Sequence, residues 1–236
     1  MKTFPETNFF STACLILFLL IFSCPVAALA ESPEETATRL QKRYDAIQTL
    51  SFDFVQDTRG QLSGRPKKGS GQAFFVKSTG TDAQSGKMRW NYLAPDRQVL
   101  VSDGITFSMY FAAMSQMIVT PATALEQDLT YSFFTGSGKL LRDFTILKPD
   151  REGNAQEQTT VIKLIPKAKQ SQVASIHLWV TTDSLIRRIE ILDQFDTMTV
   201  LNFSGLKVNS LDRNDGDLME NLFHFTPPEG TEIIHQ

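Results

Sequence analysis

From residue 52 onward the apolar residues recur at every second position in about ten short runs, and that period governs what the chain can fold into. Phe52 and Phe54 alternate with Asp53, and Met88, Trp90 and Tyr92 alternate with Arg89 and Asn91. Further runs cover 72–77, 98–102, 107–111, 116–120, 159–165, 175–181, 186–192 and 197–203. Turn-forming residues separate many of them, as in Ser102-Asp103-Gly104, Pro149-Asp150, Glu152-Gly153-Asn154 and Thr182-Asp183. Short strands at hairpin spacing predict an antiparallel sheet, closed into a barrel or curved into a half-barrel. One helical segment precedes them. Ser32-Pro33-Glu34-Glu35 supplies a capping residue, a proline for the first turn and a Glu placed to complete a capping box. Ala37, Leu40, Tyr44 and Ile47 then recur at three- and four-residue steps, forming one apolar stripe that runs to about Leu50. Between about 122 and 143 the pattern loosens and leaves room for one or two short helices. No repeat, linker or low-complexity tract interrupts the chain, so residues 31–236 are expected to form one domain.

The first thirty residues read as a cleaved export signal. Lys2 precedes an apolar stretch over 9–22, and Ala28-Leu29-Ala30 supplies the small-x-small cleavage pattern before Glu31. The apolar stretch is short for a bilayer span. Both cysteines of the chain, Cys14 and Cys24, fall inside this leader, so the mature protein is expected to have no disulfide, thiol nucleophile or thiolate metal site. Cys24 also raises lipid modification, against which Phe22 two positions back is a poor fit.

Motifs that carry chemistry fail one by one. Gly136-Ser137-Gly138-Lys139-Leu140 lacks the early glycine and the closing Ser or Thr of a phosphate loop. Asp212-Arg213-Asn214-Asp215-Gly216 places its glycine one residue early for a calcium loop, and Phe223 stands where the closing Glu belongs, so it reads as a solvated turn. His177, His224 and His235 make no metal-ligand spacing, and no Gly-x-Ser-x-Gly elbow is present. Arg65-Pro66-Lys67-Lys68 reads as a solvated turn between strands, the alternative being a docking patch for an acidic partner or lipid headgroups. A formal charge of −3 offers no field for a nucleic acid. The chain is therefore expected to be neither an enzyme nor a metal or cofactor protein.

The apolar residues say more. There are 18 Phe against 4 Tyr and 2 Trp, many rings without a polar handle. Phe74-Phe75-Val76 is apolar on both faces of its strand. Tyr131, Phe133 and Phe134 fall in the expected helical insertion, and Phe107, Met109, Phe111, Met114 and Met117 form a further group. A sheet that curves around a ligand needs one apolar surface for itself and a second for the ligand, and methionine suits the second.

Several stretches stand in a familiar order. They are Ile47-Gln48-Thr49-Leu50-Ser51-Phe52-Asp53-Phe54-Val55-Gln56, then Met88-Arg89-Trp90-Asn91-Tyr92 with Pro95, then Leu100-Val101-Ser102-Asp103-Gly104 and Tyr110. Asn202-Phe203-Ser204 and Phe223-His224-Phe225-Thr226-Pro227-Pro228-Glu229-Gly230 complete the series. In these the chain resembles the periplasmic outer-membrane lipoprotein carriers, the LolA family, from about Leu40 to Glu232. The resemblance implies a mainly β, single-domain, incomplete antiparallel barrel with a helical lid over a hydrophobic cavity for acyl chains. It implies acylated lipoproteins as cargo, an ATP-driven inner-membrane transporter that releases them, an outer-membrane acceptor, no cofactor, and a monomer in the periplasm. An anchored acceptor of similar fold (if Cys24 is lipidated) and a carrier of another lipid or glycolipid are the alternatives.

The expected cavity and lid residues are Leu40, Tyr44, Ile47, Phe54, Phe74, Trp90, Phe107, Met109, Phe133 and Phe134. Family members commonly carry an Arg-Pro pair directly after the strand matching 74–77, and that Arg latches the lid. Here Lys77 is followed by Ser78 and an apparent insertion to Gly86 without any Arg, which leaves Lys87 or Arg89 as stand-ins; Arg89 is the candidate latch, and the alternative for it is an ordinary exposed strand residue.

Overall fold

The mature sequence begins by satisfying a helix terminus. In a computed structural model, Ser32 caps α1 (Pro33–Ala46): its backbone N–H donates to Glu35 Oε2 at 2.8 Å and its Oγ accepts from the Glu35 N–H at 3.2 Å. Thr36, Ala37, Leu40 and Tyr44 form the buried face, as the apolar stripe predicts. The structure describes residues 1–2, 31–60, 65–78, 86–127, 129–136, 138–168 and 172–236. The export-signal reading with Cys14 and Cys24, and residues 79–85 of the insertion, lie outside the described residues.

Beyond α1 come β1 (Thr49–Arg59), β2 (Lys67–Val76), β3 (Lys87–Ala94), β4 (Gln98–Ser102), β5 (Thr106–Phe111) and β6 (Gln116–Pro121). A 3-10 segment (Ala122–Gln127), α2 (Leu129–Thr135) and α3 (Leu140–Asp143) occupy the stretch where the strand pattern loosens. The chain then returns to β7 (Phe144–Leu147), β8 (Thr159–Pro166), β9 (Val173–Thr181), β10 (Ile186–Asp193) and β11 (Met198–Val208), and ends with α4 (Gly216–Phe223) and β12 (Glu232–His235). All twelve strands join one sheet in the order β12-β6-β5-β4-β3-β2-β1-β11-β10-β9-β8-β7. Among the described residues β7 and β12 stand at opposite edges, so the sheet is an unclosed barrel. Its pairs are antiparallel except β6 with β12, which is parallel. The register of β1 against β11 slips between Ser51 and Asp53, and Gly205 there has a φ of +59°, a bulge that bends the sheet at its middle.

The bend gives the sheet an inner and an outer face. The main core lies on the inner face, where the strands pack against α1 and α2. The outer face of β2–β6 is covered by the C-terminal segment: Met219 and Phe223 of α4 pack with Phe74 and Val76, and Phe225 packs with Val99, Val101, Tyr110 and Met117. Helix α4 and strand β12 are not expected from the sequence. Asp215, expected in a turn, is instead the cap of α4, its Oδ1 accepting from the Leu218 N–H at 2.9 Å.

Candidate functional site

Register places the inner-face side chains in rows across the strands. Leu50, Phe75, Met88, Ser102 and Phe107 form one row, and Phe52, Ala73, Trp90, Leu100 and Met109 the next. Phe54, Gly71 and Tyr92 belong to a third, with Gln56 beyond it on β1. Phe203 lies opposite Phe54 and Leu201 opposite Gln56, which carries the apolar surface across the bend. The rings interlock: Phe52 stands 4.5 Å from Phe203, Phe54 4.6 Å from Trp90, and Phe75 4.9 Å from Phe134 of α2. Tyr44 of α1 meets Phe133 at 4.7 Å, so the two helices pack on each other as well as on the sheet.

This packing leaves a space. A cavity of about 280 Å³ lies under Leu125 and Tyr131, walled by Met88, Trp90 and Tyr92 of β3 with Leu100, Phe107, Leu201 and Gln56. Tyr131 Oη donates to the Gly86 carbonyl at 2.8 Å and so ties α2 to the start of β3. A second void, of about 30 Å³, lies between Phe133, Phe134 and Leu140 on one side and Leu164, Ile176, Leu178, Ile186 and Ile189 on the other. At one end of the larger cavity Tyr92 Oη donates to Gln56 Oε1 at 2.8 Å. Burial pushes the Tyr92 phenol up to about 12.

Of the ten cavity and lid residues expected from the sequence, four line one of these two voids, and most of the others fill the core around them. Leu40, Tyr44, Ile47, Phe54, Trp90, Phe107, Phe133 and Phe134 are all buried in the inner core. Trp90 and Phe107 line the larger cavity, Phe133 and Phe134 the smaller, and Met109 packs half-buried against the same cluster. Phe74 is a correction. It points to the outer face and packs with α4, because neighbouring residues of a strand face opposite ways; Phe75 is the inward ring. Cavity wall residues absent from the expected set are Gln56, Met88, Tyr92, Leu100, Leu125, Tyr131 and Leu201. For Met88 and Tyr92 the signal is present in the sequence, since they share the alternation of Trp90.

Arg89 is a second correction. It lies on the outer face of β3 and donates to Leu222 O at 2.9 Å, His224 O at 3.4 Å and Asn91 Oδ1 at 2.7 Å, with its guanidinium 5.7 Å from the Phe225 ring. It holds down the end of α4, not α1. A cation that reaches the last carbonyls of α1 is Lys77, whose Nζ donates to the Tyr44 carbonyl. The last carbonyls of a helix lack intrahelical partners, so an ammonium there is well placed. Burial lowers the Lys77 pKa, against the opposing pull of Asp45. Four residues of α1 make further ties that hold the helix. Arg39 donates to Thr182 O at 3.2 Å and Ser184 Oγ at 2.5 Å. Gln41 Oε1 accepts from the Leu140 N–H at 2.8 Å, Asp45 pairs with Lys139 at 2.7 Å, and Tyr44 Oη accepts from the Ile186 N–H at 3.2 Å.

Among the described residues no group of three or more His, Cys, Asp or Glu side chains could hold a metal ion, and no helix is long and apolar enough to cross a membrane. The arrangement can bind an apolar molecule between a curved sheet and two tethered helices.

Comparisons with known proteins agree in direction. A family model described as outer membrane lipoprotein carrier protein LolA matches residues 45–226. A relative from Cupriavidus pinatubonensis, named outer-membrane lipoprotein carrier protein, is 28% identical over 224 residues that cover 92% of this chain and 98% of the relative. One of the same name from Nitrosomonas europaea is 27% identical over 222 residues, covering 93% and 98%. Among solved structures, an uncharacterized conserved protein from Thermus thermophilus superposes with a TM-score of 0.50 at 12% identity, over 86% of this chain and 98% of that one, and shares the fold.

Proposed function

Because the chain belongs to the LolA family of outer membrane lipoprotein carrier proteins, we propose that it is exported to the periplasm, freed of residues 1–30, and ferries lipoproteins by their acyl chains from the inner membrane to an acceptor on the outer membrane. The observation that carries this reading is the aromatic-walled cavity of about 280 Å³ between the open sheet and the Leu125–Tyr131 segment, beside α1, which packs into the same core and is also held by polar contacts. That volume sits just below the range of roughly 300–1,000 Å³ usual for small-molecule sites. Two or three acyl chains overfill it, so loading moves α1 and α2 outward and breaks ties such as Lys77 to Tyr44 and Arg39 to Ser184.

Energetics make the carrier passive. A buried methylene is worth about 0.8 kcal/mol, so a chain of ~15 methylenes costs on the order of 12 kcal/mol to expose to water. Two or three such chains exceed the practical ceiling of roughly 20 kcal/mol for non-covalent affinity. Extraction from a membrane therefore falls to an ATP-driven inner-membrane transporter, and delivery to an acceptor that binds the cargo more strongly.

The test is to incubate residues 31–236 with inner-membrane vesicles that carry a labelled lipoprotein and its transporter, with and without ATP. The expected result is a soluble one-to-one complex that forms with ATP alone. Soluble complex without ATP overturns the passive mechanism, and no complex under either condition overturns the carrier reading.

A further inference from the structure

A cavity walled by rings and aliphatic chains holds one polar pair at one end, and that pair is built rather than incidental. The Tyr92 ring lies over Gly69, where a Cβ would come within 3.0 Å of two ring carbons, so glycine there makes its seat. Phe54 meets the ring edge-on at 4.9 Å, which fixes its plane. So held, Tyr92 donates to Gln56 Oε1, and Gln56 Nε2 donates to Thr58 Oγ1 at 3.1 Å, 3.2 Å from Thr199 Oγ1. The second N–H of Gln56 has no partner among the described residues. Two further polar groups belong to wall residues: Tyr131 Oη, which is engaged with the Gly86 carbonyl, and the indole N–H of Trp90, which lies between Met88 and Tyr92 on β3.

The pair sits at the open end. Along β3, Met88 is 3% exposed and Trp90 8%, while Tyr92 and Gln56 are only half-buried. Met88 and Tyr92 are four residues apart, so the wall runs for roughly 13 Å from the closed end to this polar point. Ligand sites of this kind use a few placed polar groups to set the direction in which an apolar ligand lies. Every acyl chain ends in a carbonyl, which needs donors when it leaves water. We propose that Gln56 and Tyr92 receive that carbonyl at the cavity mouth, so that a chain enters tail first and is told apart from a hydrocarbon chain that has no acyl carbonyl. The inference rests on the acyl-carrier reading and adds to it the group that is recognised. The Tyr92 phenol stays protonated throughout the neutral range and can donate to either Gln56 or the ligand.

Two probes of equal chain length separate the possibilities: dioctanoylglycerol, which has two ester carbonyls, and 1,2-di-O-octylglycerol, its ether analogue. Isothermal titration of residues 31–236 is expected to show the ester bound about five- to tenfold more tightly, the worth of one good hydrogen bond. Tyr92→Phe keeps the ring on Gly69, and Gln56→Met keeps the length of the side chain. Each is expected to lower the ester-to-ether affinity ratio by that factor, an effect that simple loosening of the mouth, which weakens both probes alike, does not produce. Equal affinity for both probes in the unaltered protein, or a preference that survives the double variant, overturns this inference and leaves the carrier reading in place. Failure to bind either probe overturns the carrier reading and this inference with it.

Discussion

Under β8–β10 the inner face is filled: α1, α2 and the segment after it leave about 30 Å³, against about 280 Å³ under β3–β5. Ile162 and Ile186 in the filled half are fully buried, whereas Leu100 and Met109 in the hollow half are only partly so. The outer faces differ in the reverse sense. Behind the hollow half lie two apolar clusters contributed by α4, Phe225 and the strands themselves. Behind the filled half the buried Val161 and Trp179 are accompanied by Lys163, His177, Arg188 and Glu190, with the loop after β7 bringing Asp150 to His177 at 2.6 Å and to Lys163 at 2.9 Å. Apolar burial stabilises in proportion to the area removed from water. A half-sheet that keeps its inner face partly empty for a ligand recovers that area on its outer face, which gives the C-terminal segment a structural reason to wrap there.

The largest expected effect follows from this contrast. Ile162→Ala, in the filled half, opens a void with nothing to close it and is expected to cost about 3–4 kcal/mol. Leu100→Ala only enlarges an existing space and loses a partly buried side chain, a cost of about 1–2 kcal/mol. Urea unfolding of the two variants compares them directly. Equal costs would show that the cavity is not held open in the free protein and that the two halves pack alike.

A smaller effect is expected at the tether of α1. Lys77→Met preserves the aliphatic stem beneath α2 but removes the donor to the Tyr44 carbonyl, at a cost of about 1 kcal/mol. The exposed Lys139–Asp45 pair is worth less. The sharper reading is local: amide exchange across Pro33–Ala46 should quicken in Lys77→Met while strands β8–β10 stay as protected as before. Unchanged exchange in α1 would mean that Arg39, Gln41 and the ring contacts of Tyr44 hold the helix without Lys77.

How much of this is legible in the sequence differs between the same regions. Alternation alone places Phe52, Phe54, Trp90 and Phe107 on one face, and the capped stripe of α1 locates Leu40 and Tyr44. Where both neighbours are apolar, as at Phe74-Phe75, alternation loses its meaning, and only pairing with β1 and β3 decides which ring faces inward. A void leaves no trace in hydrophobicity either: Phe107 borders the cavity and Phe75 fills the core, yet the two read alike. Lys77 escapes a sequence reading because its partner is a backbone carbonyl, which no side-chain pattern records. The four residues of β12 pair in parallel with β6 across more than a hundred residues of chain, beyond the reach of local signals.

The smallest expected effect probes the charged outer face of the filled half. The His177 side chain is 5% exposed and Asp150 56%, so burial falls mainly on the imidazole and lowers its pKa, although the Asp150 hydrogen bond pulls the other way. The carboxylate, held chiefly by Lys163 and then by His177, drops to about 2. A histidine with a lowered pKa stays neutral in the folded protein at a pH where the unfolded chain, near 6.5, already takes up a proton. Stability from this site is therefore complete above about pH 6.5 and declines as the pH falls toward the folded value. Asp150 acts lower still, its contribution being lost only as the pH falls through about 2. Urea midpoints at pH 7.5 and 5.5 should thus fall further in the unaltered protein than in His177→Gln, which has nothing to titrate there. Equal falls would assign the acid sensitivity elsewhere, and a midpoint that rises on acidification would mean that the Asp150 contact outweighs burial. In the second case the outer face of this half would be held in part by its ion pairs, in contrast to the apolar cladding behind the cavity.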